Sequence, residues 1–354
     1  MSRLRFGYWL PMFGGWLRNV EDERMEASWN YVRDLAVTSE QIGFDLTLLA
    51  ELNLNDIKGP EAPSLDAWST AAALAAVTHT LELMVAVRPA FHHPALLAKE
   101  ASNIDHISGG RLALNVVSSW WKDEATQYGL TFDEHDDRYA RTAEWLTVVK
   151  GLWTEPRFSF EGNLYRVDEA ILEPKPLRRP WPVLYAGGES ETAKNLIASS
   201  CDAYVMHGDS PDVIGKKIED MRERRERLNP QASPLHFGFA GYVICRETQA
   251  AAQKELARIT DVHASSAGYS NYNQWLAGTK LEQRVTLEDY SVSNRGLRSG
   301  LAGTAEQIAE QLYRFEQAGI DLTLLQFSPQ REEMERFGSD VIPLLRGDVR
   351  KLAV

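Results

Sequence analysis

Eight short runs of apolar and β-branched residues recur along the chain, most of them separated by helical patterns. They are Phe6–Pro11, Asp45–Ala50, Leu81–Val87, Leu112–Val117, Val183–Ala186, Ala203–His207, Phe237–Cys245 and Leu322–Phe327. Several are near-continuous hydrophobic stretches, as parallel strands buried on both faces are. The segments between them carry helix punctuation. Pro94 stands in a first turn, and Gly109-Gly110 stop the same helix. Ser210-Pro211-Asp212 opens another, Thr304 with Gln307 is a capping-box pattern, and Gly319 closes that helix. Eight strand–helix alternations predict an α/β fold, a (β/α)8 TIM barrel with insertion loops at its C-terminal face, and 354 residues suit one such domain spanning 1–354. The runner-up, an open doubly wound sheet, is weakened by the lack of a Gly-x-Gly-x-x-Gly after the first strand.

Two connections are too long for turns. Residues 118 to about 183 hold one good helix (about Asp137–Leu152) and then an irregular stretch ending Glu-Pro-Lys-Pro. The second, 248–303, is polar and aromatic toward its end, with Tyr269, Tyr272, Trp275 and Tyr290. Long loops after barrel strands lie on the catalytic face, so residues 265–303 are expected to form a mobile lid.

Composition excludes several partners. A net charge of −12 argues against nucleic acid. No apolar run of 18 residues or secretory leader is visible, which predicts a cytoplasmic protein with no membrane partner. Cys201 and Cys245 read as buried reduced thiols. No metal is expected. The first strand lacks a His-x-His, the adjacent His92 and His93 diverge, and Asp133 to Asp137 suit a solvated helix start.

In a barrel, chemistry sits at the C-terminal ends of the strands. There, Gly187-Gly188-Glu189-Ser190 follows the fifth strand and leads into a helix. Glycines allow close backbone approach, and a helix N-terminus favours an anion such as the phosphate of FMN, although Gly-Gly also serves simple turns. His135, Arg138 and Tyr139 fall on one face of the helix after the fourth strand, suited to flavin contacts, or Arg138 pairs with nearby acids. Asn115 is a buried amide in need of partners. Trp9, Phe13, Trp16, Trp120, Trp121, Tyr242 and Phe327 would make a dry mouth or merely cap the core, and oxygen chemistry at a reduced flavin requires the former.

The run from Asn103 to Ser118, with Asp105-His106-Ile107-Ser108-Gly109-Gly110-Arg111, resembles the signature of bacterial-luciferase-like, FMN-dependent monooxygenases. Glu134-His135-Asp136-Asp137-Arg138-Tyr139, Phe158-x-Phe160-x-Gly162-x-x-Tyr165, Pro174-Lys175-Pro176 and the Gly187-Gly188 corner resemble further motifs of that family. Val117-Ser118-Ser119-Trp120-Trp121-Lys122 is similar to the dimethylsulfone branch, ahead of the alkanesulfonate branch. The resemblance implies reduced FMN (FMNH2) supplied by a separate NAD(P)H:flavin reductase, O2 as cosubstrate, C–S cleavage of a small organosulfur compound, and a homodimer or homotetramer. It assigns the phosphate to Gly187, Gly188, Glu189 and Ser190 with Tyr139 and Arg138, and the flavin ring to Asn115 and His135.

The chain departs from the alkanesulfonate pattern in having Phe13, Ser64, Ala240, Tyr242 and Ser328 at positions where those enzymes carry His, Cys, Arg, His and Tyr. Loss of the strand-seven Arg and His favours a neutral or weakly polar substrate. Catalytic candidates are Ser64, His135 and Tyr242. Substrate candidates are Trp9, Phe13, Trp120, Tyr242 and Phe327, with Arg295 and Arg298 brought over the mouth by the lid. Alternatives are a flavin or deazaflavin hydride-transfer reductase and a non-catalytic flavin-binding protein.

Overall fold

The structure is a computed structural model, and it describes residues 4–262, 267–269 and 271–347. Residues 265, 266 and 270 of the expected lid lie outside the described residues.

All eight expected strands form. They are Arg5–Trp9, Leu46–Leu49, Glu82–Val87, Leu112–Val116, Val183–Ala186, Ala203–Met206, His236–Tyr242 and Leu322–Gln326, referred to here as the first to eighth barrel strands. They close into a barrel in the order first, eighth, seventh, sixth, fifth, fourth, third, second, every pairing parallel. Parallel neighbours require a helical crossover, and a helix follows each strand on the outside. The helix ends follow their sequence cues. His93 caps Pro94–Ser108, which stops at Gly109 with φ of 71°. Ser210 caps Pro211–Leu228, and Thr304 and Gln307 form a capping box on Ala305–Gln317.

Alternation along the strands splits the core in two. Phe6, Tyr8, Leu83, Val85, Leu112, Leu114 and Leu325 face the helices. Leu46, Leu48, Met84, Ala113, Tyr185, Ala203, Leu322 and Leu324 fill the barrel interior. Gly7 is required there, because a Cβ would lie 2.8 Å from the Thr323 carbonyl oxygen.

Three segments differ from expectation. The stretch after the fourth strand contains a helix at Lys122–Gln127, and its long helix runs His135–Thr154. It then forms an antiparallel hairpin, Phe158–Glu161 with Arg166–Ala170, rather than an irregular loop. The Glu144 carboxylate gathers the N–H groups of Asn163, Leu164 and Tyr165 at 2.8–3.2 Å, which secures the turn. The run expected to extend to Cys245 breaks after Tyr242. Ile244–Cys245 turns away from the barrel and pairs with Ala302–Gly303, closing the base of the long excursion between them. Above the mouth, that excursion carries Tyr272–Gly278, Leu287–Tyr290 and a 3-10 segment, Ser293–Ser299. Among the described residues, no helix is long and apolar enough to cross a membrane.

Candidate functional site

Inward-facing positions at or just beyond the C-terminal ends of the strands form the floor of one cavity. The first four strands supply Trp9, Leu48, Ala86 and Asn115, and the others Gly187, Val205, Ala240 and Gln326. The cavity measures about 280 Å³, and Trp275, Tyr290 and Arg295 roof it from the excursion. Barrel order divides its wall. Strands four to six stand on one side, and strands seven, eight and one on the other.

The first side presents a helix N-terminus to the cavity. The corner Gly187-Gly188-Glu189-Ser190 turns the chain into the helix Glu191–Ser200, whose N-terminus opens on the cavity. Ser190 is the N-cap, its hydroxyl accepting the Ala193 N–H at 3.1 Å. Neither glycine can carry a side chain. A Cβ on Gly187 would lie 2.8 Å from the Val205 carbonyl oxygen, and one on Gly188 2.6 Å from the Ala193 Cβ and 3.2 Å from the Tyr139 hydroxyl. Tyr139 reaches Ser190 with its hydroxyl, and burial raises that phenol above its usual value. His135 and Arg138 line the same wall, so the three helix residues do share one face. His135 Nδ1 holds Asp136 at 2.7 Å, and Arg138 lies over the Phe132 ring. Burial lowers the guanidinium of Arg138. The Oδ1 of Asn115 and the hydroxyl of Ser119 are buried on this wall without a partner among the described residues. Buried polar atoms need a partner, and here a bound ligand or an ordered water in the cavity would supply it.

The remaining cations of the cavity are neutralised. Arg18 bonds Asp56, and Arg88 bonds Glu51 and Glu124. Arg295 is fully buried and bonds Glu189, which also holds Lys217 at 2.9 Å. Burial alone would raise the Glu189 carboxyl, but His207 once protonated in acid, with Arg295 and Lys217 at every pH, overrides it and holds it at about 2. Burial and the Arg295 charge push the His207 imidazole down to about 4, so it is neutral at pH 7. The Glu189 side chain is thus the counter-ion of the roof, whereas the backbone of the corner faces the cavity.

Trp9, Phe13 and Trp120 line the cavity as expected of substrate contacts, and Arg295 does so in part. Four candidates do not line it. Phe327 faces outward, packed on Phe44 and Phe337, because it is one residue out of phase with the inward Gln326. Ser64 donates to the carbonyl of Leu52, which lines the cavity, at 2.8 Å and does not line it itself. Tyr242 lies under the 3-10 segment, where Gly296 abuts its backbone, and burial holds its phenol well above the usual value. Arg298 turns to Asp289 at 2.6 Å and Gln283 at 2.9 Å. Sequence reasoning in turn missed Gln326, His207, Arg18 and Arg88. For Gln326 and His207 a signal existed, since both are polar residues ending an apolar strand, as Asn115 nearly does. The two adjacent histidines separate: His92 bonds Glu51, and His93 caps its helix.

Known proteins resemble this chain over nearly its whole length. The FMNH(2)-dependent dimethylsulfone monooxygenase of Pseudomonas putida is 34% identical over 351 residues, covering 97% of this chain and 95% of the relative. The enzyme of the same name from Pseudomonas fluorescens is 32% identical over 358 residues, covering 97% and 94%. Among solved structures, a long-chain alkane monooxygenase superposes with a TM-score of 0.83 at 20% identity over 98% of this chain and 92% of that one, a likeness of fold. The model of the luciferase-like monooxygenases matches residues 4–322. With nine-tenths of its length matched by that model and two relatives more than 30% identical across 97% of the chain, the chain belongs to the luciferase-like monooxygenase family.

Proposed function

We propose that this chain is a reduced-FMN-dependent monooxygenase of a two-component system that cleaves a C–S bond in a small, uncharged organosulfur compound such as a sulfone. The observation that carries the reading is the division of the cavity. The glycine corner and the unpartnered polar atoms beside it leave room for a phosphate-bearing flavin, whereas Arg18, Arg88 and Arg295 around the cavity already hold carboxylates.

The first wall fits FMN. Backbone N–H groups of Gly188, Glu189 and Ser190 at the helix start would hold the phosphate, with the Tyr139 hydroxyl beside them. Asn115 and Ser119 would satisfy polar edges of the flavin, and His135 stands at the rim. Bound FMNH2 supplies the electrons that activate O2. The protein's own contribution is positioning and dryness. Trp9, Phe13, Trp16 and Trp120 exclude water from the floor and wall, and Tyr290 and Trp275 do so from the roof. The matched ion pairs leave little field to attract a sulfonate, so a neutral substrate enters without an uncompensated charge. Reduced flavin comes from a separate NAD(P)H:flavin reductase, and opening of the roof over residues 267–303 would admit it.

The test supplies FMN, NADH, a generic flavin reductase and oxygen. A panel of dimethyl sulfone, methanesulfonate, longer alkanesulfonates and a pyrimidine is assayed for sulfite, sulfinate and aldehyde. Oxygen-dependent sulfinate and aldehyde from the sulfone, well above the sulfonates, is expected. Substrate reduction without oxygen consumption, or no product from any compound, would overturn the reading.

A further inference from the structure

Two glutamines stand four residues apart near the eighth strand, and their surroundings differ sharply. Gln330 is fully engaged. Its Oε1 accepts the Trp16 indole N–H at 2.7 Å and the Phe327 N–H at 3.4 Å, and its Nε2 donates to the Trp9 carbonyl at 3.3 Å. Gln326 is equally buried, at 0% exposure, yet both its amide atoms lack a partner among the described residues. The first is a structural glutamine. The second has no structural partner to explain it.

Its direction is fixed by alternation. Leu322 and Leu324 lie in the barrel interior and Leu325 faces the helices, so Gln326 points inward, and it lines the cavity floor. On the adjoining first strand, Tyr8 pairs with Leu325, which sets Trp9 beside Gln326 on the same inward face. The Trp9 indole N–H is likewise sealed from solvent and unpartnered among the described residues, and Trp9 lines the cavity. Ala240, paired with Leu324 one step deeper on the seventh strand, adds only a methyl to the same cavity floor. The two side chains present three N–H donors and one acceptor at the end of the floor away from the glycine corner.

We infer that Gln326 and Trp9 form a notch that reads the oxygens of an uncharged substrate, a sulfonyl group or a similar pair of acceptor oxygens, across the cavity from the anion corner. Donors outnumber acceptors, so the occupant brings lone pairs. The occupant is neutral, because Arg18 and Arg295 are already bound to Asp56 and Glu189. The notch rests on the sulfone reading for the identity of the compound, but its own claim concerns neutral acceptor oxygens. A substrate lacking such oxygens would leave these groups unsatisfied, which is the strongest way a buried site rejects an analogue.

The experiment uses the full chain loaded with FMN and follows dimethyl sulfone by saturation-transfer NMR. In Gln326→Leu the sulfone affinity should fall about tenfold or more, as loss of a ligand hydrogen bond implies, while FMN affinity stays within twofold. Thermal melting of the flavin-free protein gives the readout that a structural glutamine would not. Removing an unsatisfied buried amide should raise Tm by about 1–3 °C, whereas removing a structural one lowers it. Gln326→Met repeats both measurements with a flexible side chain. Unchanged sulfone binding in both variants, or a fall in Tm in both, overturns the notch, as does a wild-type protein that binds none of dimethyl sulfone, dimethyl sulfoxide or acetone. Sulfone binding that depends on Gln326 without turnover overturns the proposed reaction and leaves the notch standing. Turnover with an unchanged KM in Gln326→Leu does the reverse.

Discussion

Replacing Glu189 with Gln keeps the size of the side chain and removes the one charge that ties the anion corner to the roof. Arg295 loses its carboxylate partner and Lys217 keeps only Glu282 at 3.2 Å, and their side chains are only 1% and 10% exposed. The depression of the Glu189 carboxyl from 4.5 to about 2 corresponds to roughly 3 kcal/mol. Stripping one member from a buried ion pair costs about 3–5 kcal/mol, so urea unfolding at pH 7 should show a loss in that range. The pH dependence has a definite sign. A carboxyl whose folded value lies below its unfolded one contributes fully above the unfolded value, and the contribution disappears as pH falls through the folded one. The gap between wild type and Glu189→Gln is therefore flat from neutrality down to about pH 5. It narrows as the medium is acidified from about 4.5 toward 2. Adding Arg295→Leu to Glu189→Gln should cost less than the two single changes together, since the second removes a charge the first has stranded. A gap under about 1 kcal/mol at pH 7, the value of a surface pair, or a gap that widens in acid, would refute the counter-ion assignment.

Two further substitutions probe the corner and the roof separately. Gly188→Ala places a methyl 2.6 Å from the Ala193 Cβ and 3.2 Å from the Tyr139 hydroxyl. FMN affinity by fluorescence titration should fall about tenfold or more, the equivalent of one charge-assisted hydrogen bond. A change within twofold contradicts the phosphate assignment. Gly208→Ala sets its methyl 2.4 Å from the Arg295 carbonyl oxygen and 2.8 Å from that of Ala240. The backbone cannot yield as a side-chain tip would, so a loss of about 1–3 kcal/mol is expected. The roof should then be cut faster by trypsin at Arg295 and Arg298, and wild-type digestion rates would count against the close packing described.

The barrel was legible because parallel strands covered on both faces must be apolar throughout, and because capping residues mark helix ends locally. The same property hid which residues face the mouth. In Leu322–Phe327 both faces are apolar, the period-two signal vanishes, and Phe327 looks as good a lining residue as its neighbour. Only the pairing of Tyr8 with Leu325 settles the phase and puts Gln326 inside. The glycine corner was visible since a tight turn into a helix is encoded within four residues. The fate of its Glu189 was not, because Arg295 lies 106 positions away and no local pattern announces so distant a partner. The hairpin at Phe158–Ala170 did carry its alternation in Phe158-Ser159-Phe160, but its turn depends on Glu144 in the preceding helix.

The short pairing of Ile244–Cys245 with Ala302–Gly303 has an evolutionary consequence. It brings the two ends of a segment of more than fifty residues together beside the barrel. Insertions, deletions or wholesale exchange above that clasp need not disturb the register of the seventh and eighth strands. The roof is in effect a cartridge, open to change for a new compound so long as each version keeps a cation where Arg295 meets Glu189.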